Sequence, residues 1–160
     1  MQFSENTLRV LKDSGWFEDR KINTSEYKIS LEENGLKFFD KAENFLEKYG
    51  GLKINFSLKW QYELAVADKL ENAKEFGKKS FHFDVLEAIG MVDYIREPLE
   101  EFKREINLEL SIIGECNNGL MTMLMAEDGT IYGYQDMEFI KLGRNGEEYI
   151  EKTCCEAQPV

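Results

Sequence analysis

Phe45-Leu46-Glu47-Lys48-Tyr49-Gly50-Gly51-Leu52-Lys53-Ile54-Asn55-Phe56-Ser57-Leu58 is the stretch in which one periodicity replaces another. Upstream of the glycine pair, starting at Leu36, the apolar positions Phe38, Phe39, Ala42, Phe45, Leu46 and Tyr49 recur at the spacing of one helical face. Gly50-Gly51 supplies the conformational freedom that ends such a helix. Downstream, Leu52, Ile54, Phe56, Leu58 and Trp60 alternate with Lys53, Asn55, Ser57 and Lys59, the pattern of a strand with one buried face. An amphipathic helix running straight into a one-faced strand predicts a helix layer packed on a sheet.

The flanking sequence extends that plan. Ser4 is a good N-cap for a helix carrying Leu8 and Leu11, and Gly15 stops it before Trp16-Phe17 turns back. Tyr27, Ile29 and Leu31 alternate, which predicts a short strand, and Asn34-Gly35 is a turn. Residues 61–80 support either a strand or a helix. Phe81-His82-Phe83 reads as a short strand, and Asp84 caps a helix carrying Val85, Leu86, Ala88, Ile89 and Val92. Pro98 fits the first turn of a further helix with Leu99, Phe102 and Ile106 on its buried stripe. Asp128-Gly129 between Met121–Glu127 and Thr130–Tyr134 predicts a type I′ hairpin. Its two-residue loop would place Met125 opposite Tyr132 and Met123 opposite Tyr134; both faces are largely apolar, so helices should cover at least one of them. A last helix starts near Asn145-Gly146, and the chain beyond Cys154 is expected to fray. The expectation is one α+β domain over residues 1–155, a central, largely antiparallel sheet with helices packed around it, and a short tail over 156–160.

With 42% hydrophobic and 32% charged residues in 160, the composition is that of a globular domain with a real core. The first residues hold no basic stretch ahead of an apolar one, and no run reaches the roughly 20 apolar residues a bilayer span needs. A cytoplasmic location is expected. Three cysteines, Cys116, Cys154 and Cys155, make a poor disulfide framework and agree with a reducing compartment. The net charge of −11 is lopsided: residues 1–83 hold fourteen basic and fourteen acidic side chains, residues 84–160 six against seventeen. Such a half serves solubility, or it steers the chain toward a basic partner. It disfavours direct binding of nucleic acid, which needs clustered Lys and Arg.

Motifs for chemistry are sparse. His82 is the sole imidazole and sits between two phenylalanines, which suggests a packing or surface residue. Adjacent Cys154-Cys155 lacks the spacing of a metal-ligand pair. Gly50-Gly51 precedes a strand, the wrong order for a phosphate loop. Pairs such as Glu100/Glu101 and Glu147/Glu148 read as solvated helix faces. No catalytic residue, metal site or cofactor is expected.

The order of several segments resembles the third subfamily of the SUKH superfamily, whose bacterial members are mostly immunity proteins against polymorphic toxins. The matching residues are Phe3-Ser4, Leu11, Gly15-Trp16 and Arg20, then Phe45-Leu46 and Tyr49-Gly50-Gly51-Leu52. They continue with Phe83-Asp84, Ala88, Ile113-Gly114, Leu120–Met125, Asp128-Gly129, Tyr132, Gly143 and Glu147-Glu148. Ile112 departs from the proline common there, and residues 91–107 look individual. The resemblance implies an α+β fold and a non-enzymatic protein that binds and blocks a cognate toxin domain, such as a nuclease. A basic toxin would meet the acidic half, and the expected contacts are Glu97, Glu100, Glu101, Glu105, Glu109, Glu115, Glu127, Asp128, Asp136, Glu138 and Glu147. The alternative is an interaction adaptor or regulatory scaffold of the same fold. Oligomeric state is open.

Overall fold

The computed structural model describes residues 2–58, 63, 67–69 and 78–158. Helices α1 (Glu5–Asp13), α2 (Ser25–Glu33) and α3 (Asp40–Tyr49) precede strands β1 (Lys53–Leu58) and β2 (Lys78–His82). A short helix α4 (Val85–Ala88) passes through a 3-10 turn, Ile89–Met91, into the long helix α5 (Val92–Ile106). Strands β3 (Leu110–Cys116), β4 (Met121–Ala126), β5 (Ile131–Gln135) and β6 (Glu138–Gly143) follow, then α6 (Gly146–Cys154) and the short β7 (Ala157–Gln158). The seven strands form one sheet in the order β6-β5-β4-β3-β2-β1-β7, every neighbouring pair antiparallel. This is a single α+β domain, as the sequence predicts.

The two faces of the sheet are covered differently. On one, α3 and α6 pack over the central strands: the Phe45 ring meets Phe83 edge-on at 4.9 Å, and Tyr149 meets Phe81 at 5.4 Å. On the other, α5 covers β4 to β6, its Phe102 stacked on Phe139 at 4.2 Å and edge-on to Tyr132 at 5.2 Å. Ile54, Ile112, Met123, Leu124 and Ile131 are fully buried between these layers.

Several local expectations are corrected. Tyr27, Ile29 and Leu31 lie on helix α2, because Tyr27 and Leu31, four apart, share a buried helical face and Ile29 points to solvent. Three alternating residues fit either period. The third helix begins at Asp40 rather than Leu36; buried Leu36 instead closes α2, its N–H donating to the Leu31 carbonyl beyond Gly35 at φ +77°. Pro98 lies inside α5, not in its first turn. Val92, Ile95 and Leu99 form one continuous buried stripe, and that burial outweighs the cost of an interior proline.

The hairpin register is shifted by one. Leu124 faces Tyr132, Met125 faces Ile131 and Thr122 faces Tyr134. The loop is Glu127-Asp128-Gly129, closed by the Ala126 N–H on the Thr130 carbonyl, with Gly129 at φ +95°. It is the three-residue loop with a glycine bulge, so the methionines and tyrosines occupy opposite faces. The two-residue turn with both φ positive lies instead at Asp136-Met137, φ +52° and +66°. Beyond Cys154 the chain does not simply fray, since Ala157 is buried and pairs with Leu58. Strands β3 and β6 were not anticipated. The expectation for Lys59-Trp60 and nearly all of 61–77 lies outside the described residues.

Candidate functional site

Three of the segments that carry the sequence resemblance, around Trp16-Arg20, Phe45-Leu52 and Phe83, converge at the exit of α3. Arg20 donates to the carbonyl oxygens of Lys48 and Gly50, both at 2.8 Å. Trp16 stacks on Tyr49 with centroids 6.4 Å apart, and Leu46 and Leu52 are buried below. Gly50 has no room for a side chain: a Cβ there would come within 2.4 Å of the Leu46 carbonyl oxygen and 2.9 Å of the Tyr27 ring. Gly51, at φ +78°, donates its N–H to the Phe83 carbonyl at 2.7 Å. Trp16, Arg20, Phe45, Leu46, Tyr49, Gly50, Gly51 and Leu52 thus meet around the passage from α3 into β1, while Gly15, at φ +98°, follows the end of α1 just before Trp16.

That junction forms one wall of an open cleft of about 320 Å³ lined by Lys41, Phe45, Lys48, Tyr49, Asp128 and Glu147, among others. The Lys41 ammonium donates to the Asp128 carbonyl at 2.7 Å, tying α3 to the β4–β5 loop. The Tyr49 hydroxyl donates to Glu147 at 3.2 Å, tying α3 to α6. Burial first, then the Glu147 carboxylate, pushes the Tyr49 phenol well above its ordinary range. Among the described residues, the lining contains no histidine or cysteine. Lysines and carboxylates facing each other across an open cleft suit recognition of a polar surface.

The expected contact residues separate into groups. Glu97, Glu100, Glu101 and Glu105 are exposed on α5. With Asp93, the residues Glu97, Glu101 and Glu105 fall at intervals of four, one stripe along the helix. Glu127 and Asp128 are exposed at one end of the sheet, Asp136 and Glu138 at the other. The remaining three are engaged internally. Glu109 pairs with the buried Lys103 at 3.3 Å and with Lys37 at 3.5 Å; burial raises its pKa, and the two lysines outweigh that and lower it. Glu147 holds Tyr49, and Glu115 lies beside His82 and Glu87.

Two clusters were missed in the sequence. Glu148 accepts from the backbone and side chain of Arg144, and these hold its carboxyl at about 2. The capping pattern at Asn145, whose side chain accepts the Glu148 N–H at 2.8 Å, was the available signal. His82, read as a packing or surface residue, has Nδ1 2.7 Å from Glu87. No sequence spacing pointed to that pair.

A family model described as SUKH-3 immunity protein matches residues 3–155. The chain belongs to the SUKH-3 immunity protein family. The match spans every element from α1 to α6, so the junction around Gly50-Gly51 and the hairpin at Asp128-Gly129 are parts of one family fold. No curated protein and no solved structure matches the chain. No helix among the described residues is long and apolar enough to cross a membrane.

Proposed function

We propose that this SUKH-3 protein binds a cognate toxin domain and neutralises it as a stoichiometric inhibitor in the cytoplasm. The toxin surface it meets is basic, as that of a nuclease must be to hold phosphates. Family membership supports the immunity role. The stripe Asp93, Glu97, Glu101 and Glu105 supports the choice of α5 as the principal contact. Like charges at intervals of four destabilise a helix by a few tenths of a kcal/mol per pair. A partner that neutralises the stripe offsets that cost and gains electrostatic steering. Glu127, Asp128, Asp136 and Glu138 flank the ends of the sheet as a secondary set.

The test is co-purification with the C-terminal domain encoded immediately upstream, followed by association rates across a salt series. A tight complex whose association slows with salt, and slows again for the triple variant Glu97→Gln, Glu101→Gln, Glu105→Gln, agrees with the proposal. A complex indifferent to both salt and the triple variant moves the contact away from α5. Absence of any complex favours the adaptor reading of the fold.

A further inference from the structure

We propose that His82, Glu87 and Glu115 form a binding site for a divalent transition-metal ion of the zinc class. One ligand atom from each of the three lies within 4.8 Å of the others. They come from three elements, β2, α4 and β3, so their convergence is a product of the fold rather than of a local run of acids.

The backbone aims each of them. His82 and Glu115 are direct cross-strand partners, which puts their side chains on the same face of the sheet. Glu115 reaches that face through an irregularity in β3. The register shifts between Ile112 and Gly114; with unbroken alternation from Ile112, Glu115 would project toward α3 and α6. Gly114 permits the close strand approach, since a Cβ there would stand 2.1 Å from the His82 carbonyl oxygen. Glu87 is aimed by the cap of α4, where one Asp84 oxygen accepts the N–H groups of Leu86 and Glu87 at 2.8 and 3.3 Å.

Donor chemistry agrees with the geometry. One imidazole and two carboxylates form a mixed nitrogen–oxygen set suited to zinc or a neighbouring first-row ion. The other Asp84 oxygen lies 3.7 Å from His82 Nε2 and leaves Nδ1 directed at the carboxylates. Ligating histidines are commonly oriented by a carboxylate on the far nitrogen. Glu115 lies close to both His82 and Glu87, so the three donors can close on one ion. Burial first, and then Glu87, raises the Glu115 carboxyl above its ordinary value. Lys53, opposite His82 in β1, faces the same cluster and competes with the ion, which sets a moderate affinity. Beside His82 and Glu115 a recess of about 70 Å³, lined also by Ser80 and Asn118, has room for a water as a further ligand.

The test uses the full chain in a Cys155→Ser background, which removes the exposed thiol. Calorimetric titration with zinc chloride is expected to show one equivalent bound. Cobalt(II) should give the visible bands of a low-coordinate site. Glu87→Gln, on an exposed side chain, keeps the fold and should weaken binding at least tenfold, with Glu115→Gln and His82→Ala doing the same. No binding at millimolar zinc, or binding that Glu87→Gln leaves unchanged, overturns the proposal. The outcome is independent of whether a toxin is bound.

Discussion

Gly146 lies so close to the ring of Phe45 that a Cβ built on it would stand 2.1 Å from Phe45 Cε2. The contact brings the first residue of α6 down onto α3 and forms the floor of the cleft between them. Ala is ordinarily the better helix residue, by up to about 1 kcal/mol over Gly. Here overpacking should win. Gly146→Ala is expected to lose about 1–3 kcal/mol in urea denaturation. Phe45→Leu combined with it should recover part of that loss in a double-mutant cycle. Simple additivity of the two changes would place the clash elsewhere.

Arg20 anchors the family junction by forking onto two carbonyl oxygens of the α3 exit. Hydrogen bonds from a charged donor contribute about 1.5–3 kcal/mol when sheltered, and these are partly exposed. Arg20→Ala should therefore cost about 1–2 kcal/mol. Lys cannot span both oxygens, so Arg20→Lys should recover less than half of it. Full recovery of stability by Arg20→Lys would mean that the two-oxygen fork contributes nothing beyond a positive charge.

Legibility in the sequence followed the strength of each local signal. The α3–β1 passage was readable because two glycines separate a helical period from an alternating one. The strand pattern failed at Tyr27-Ile29-Leu31, since three residues cannot distinguish i, i+2 spacing from an i, i+4 pair with an exposed residue between. Asp128-Gly129 located a hairpin correctly and misplaced its register, because Asp-Gly serves the three-residue loop as well as the type I′ turn. Strand β3, buried on both faces along Leu110–Gly114, has no alternation to read. The pairing of His82 with Glu87 and Glu115 depends on a strand irregularity and a cap, neither visible as spacing.

Pro98 interrupts α5 at a position where the helix needs an N–H for the Tyr94 carbonyl. Pro98→Ala restores the donor and relieves the ring clash. It should raise stability by about 1–3 kcal/mol, read as a higher urea midpoint at unchanged slope. A drop in stability would show that the proline geometry is required to seat Leu99 and Phe102.

Glu148 makes stability depend on acid pH. Its carboxyl is held at about 2, against an ordinary 4.5, by the backbone N–H and the guanidinium of Arg144. Because the folded value lies below the unfolded one, the contribution is fully present above about pH 4.5 and lost as pH falls toward 2. Glu148→Gln should lower stability at neutral pH and flatten its fall across that window, with the two proteins converging near pH 2. A constant offset between them at all pH values would assign the effect to packing.

The stripe on α5 separates stability from function. Asp93, Glu97, Glu101 and Glu105 are exposed carboxylates at intervals of four, and each successive pair repels. Changing the three glutamates to glutamine removes every repulsive pair in the stripe. The helix should gain about 0.5–1 kcal/mol at low salt, and the gain should shrink as salt rises. Under the proposed function the same triple variant loses association rate toward a basic toxin domain. Stability and binding therefore move in opposite directions, which misfolding cannot imitate. A triple variant that is both less stable and weaker in binding would mean these side chains serve the fold, and the contact surface would then lie at the sheet ends around Asp128 or Asp136.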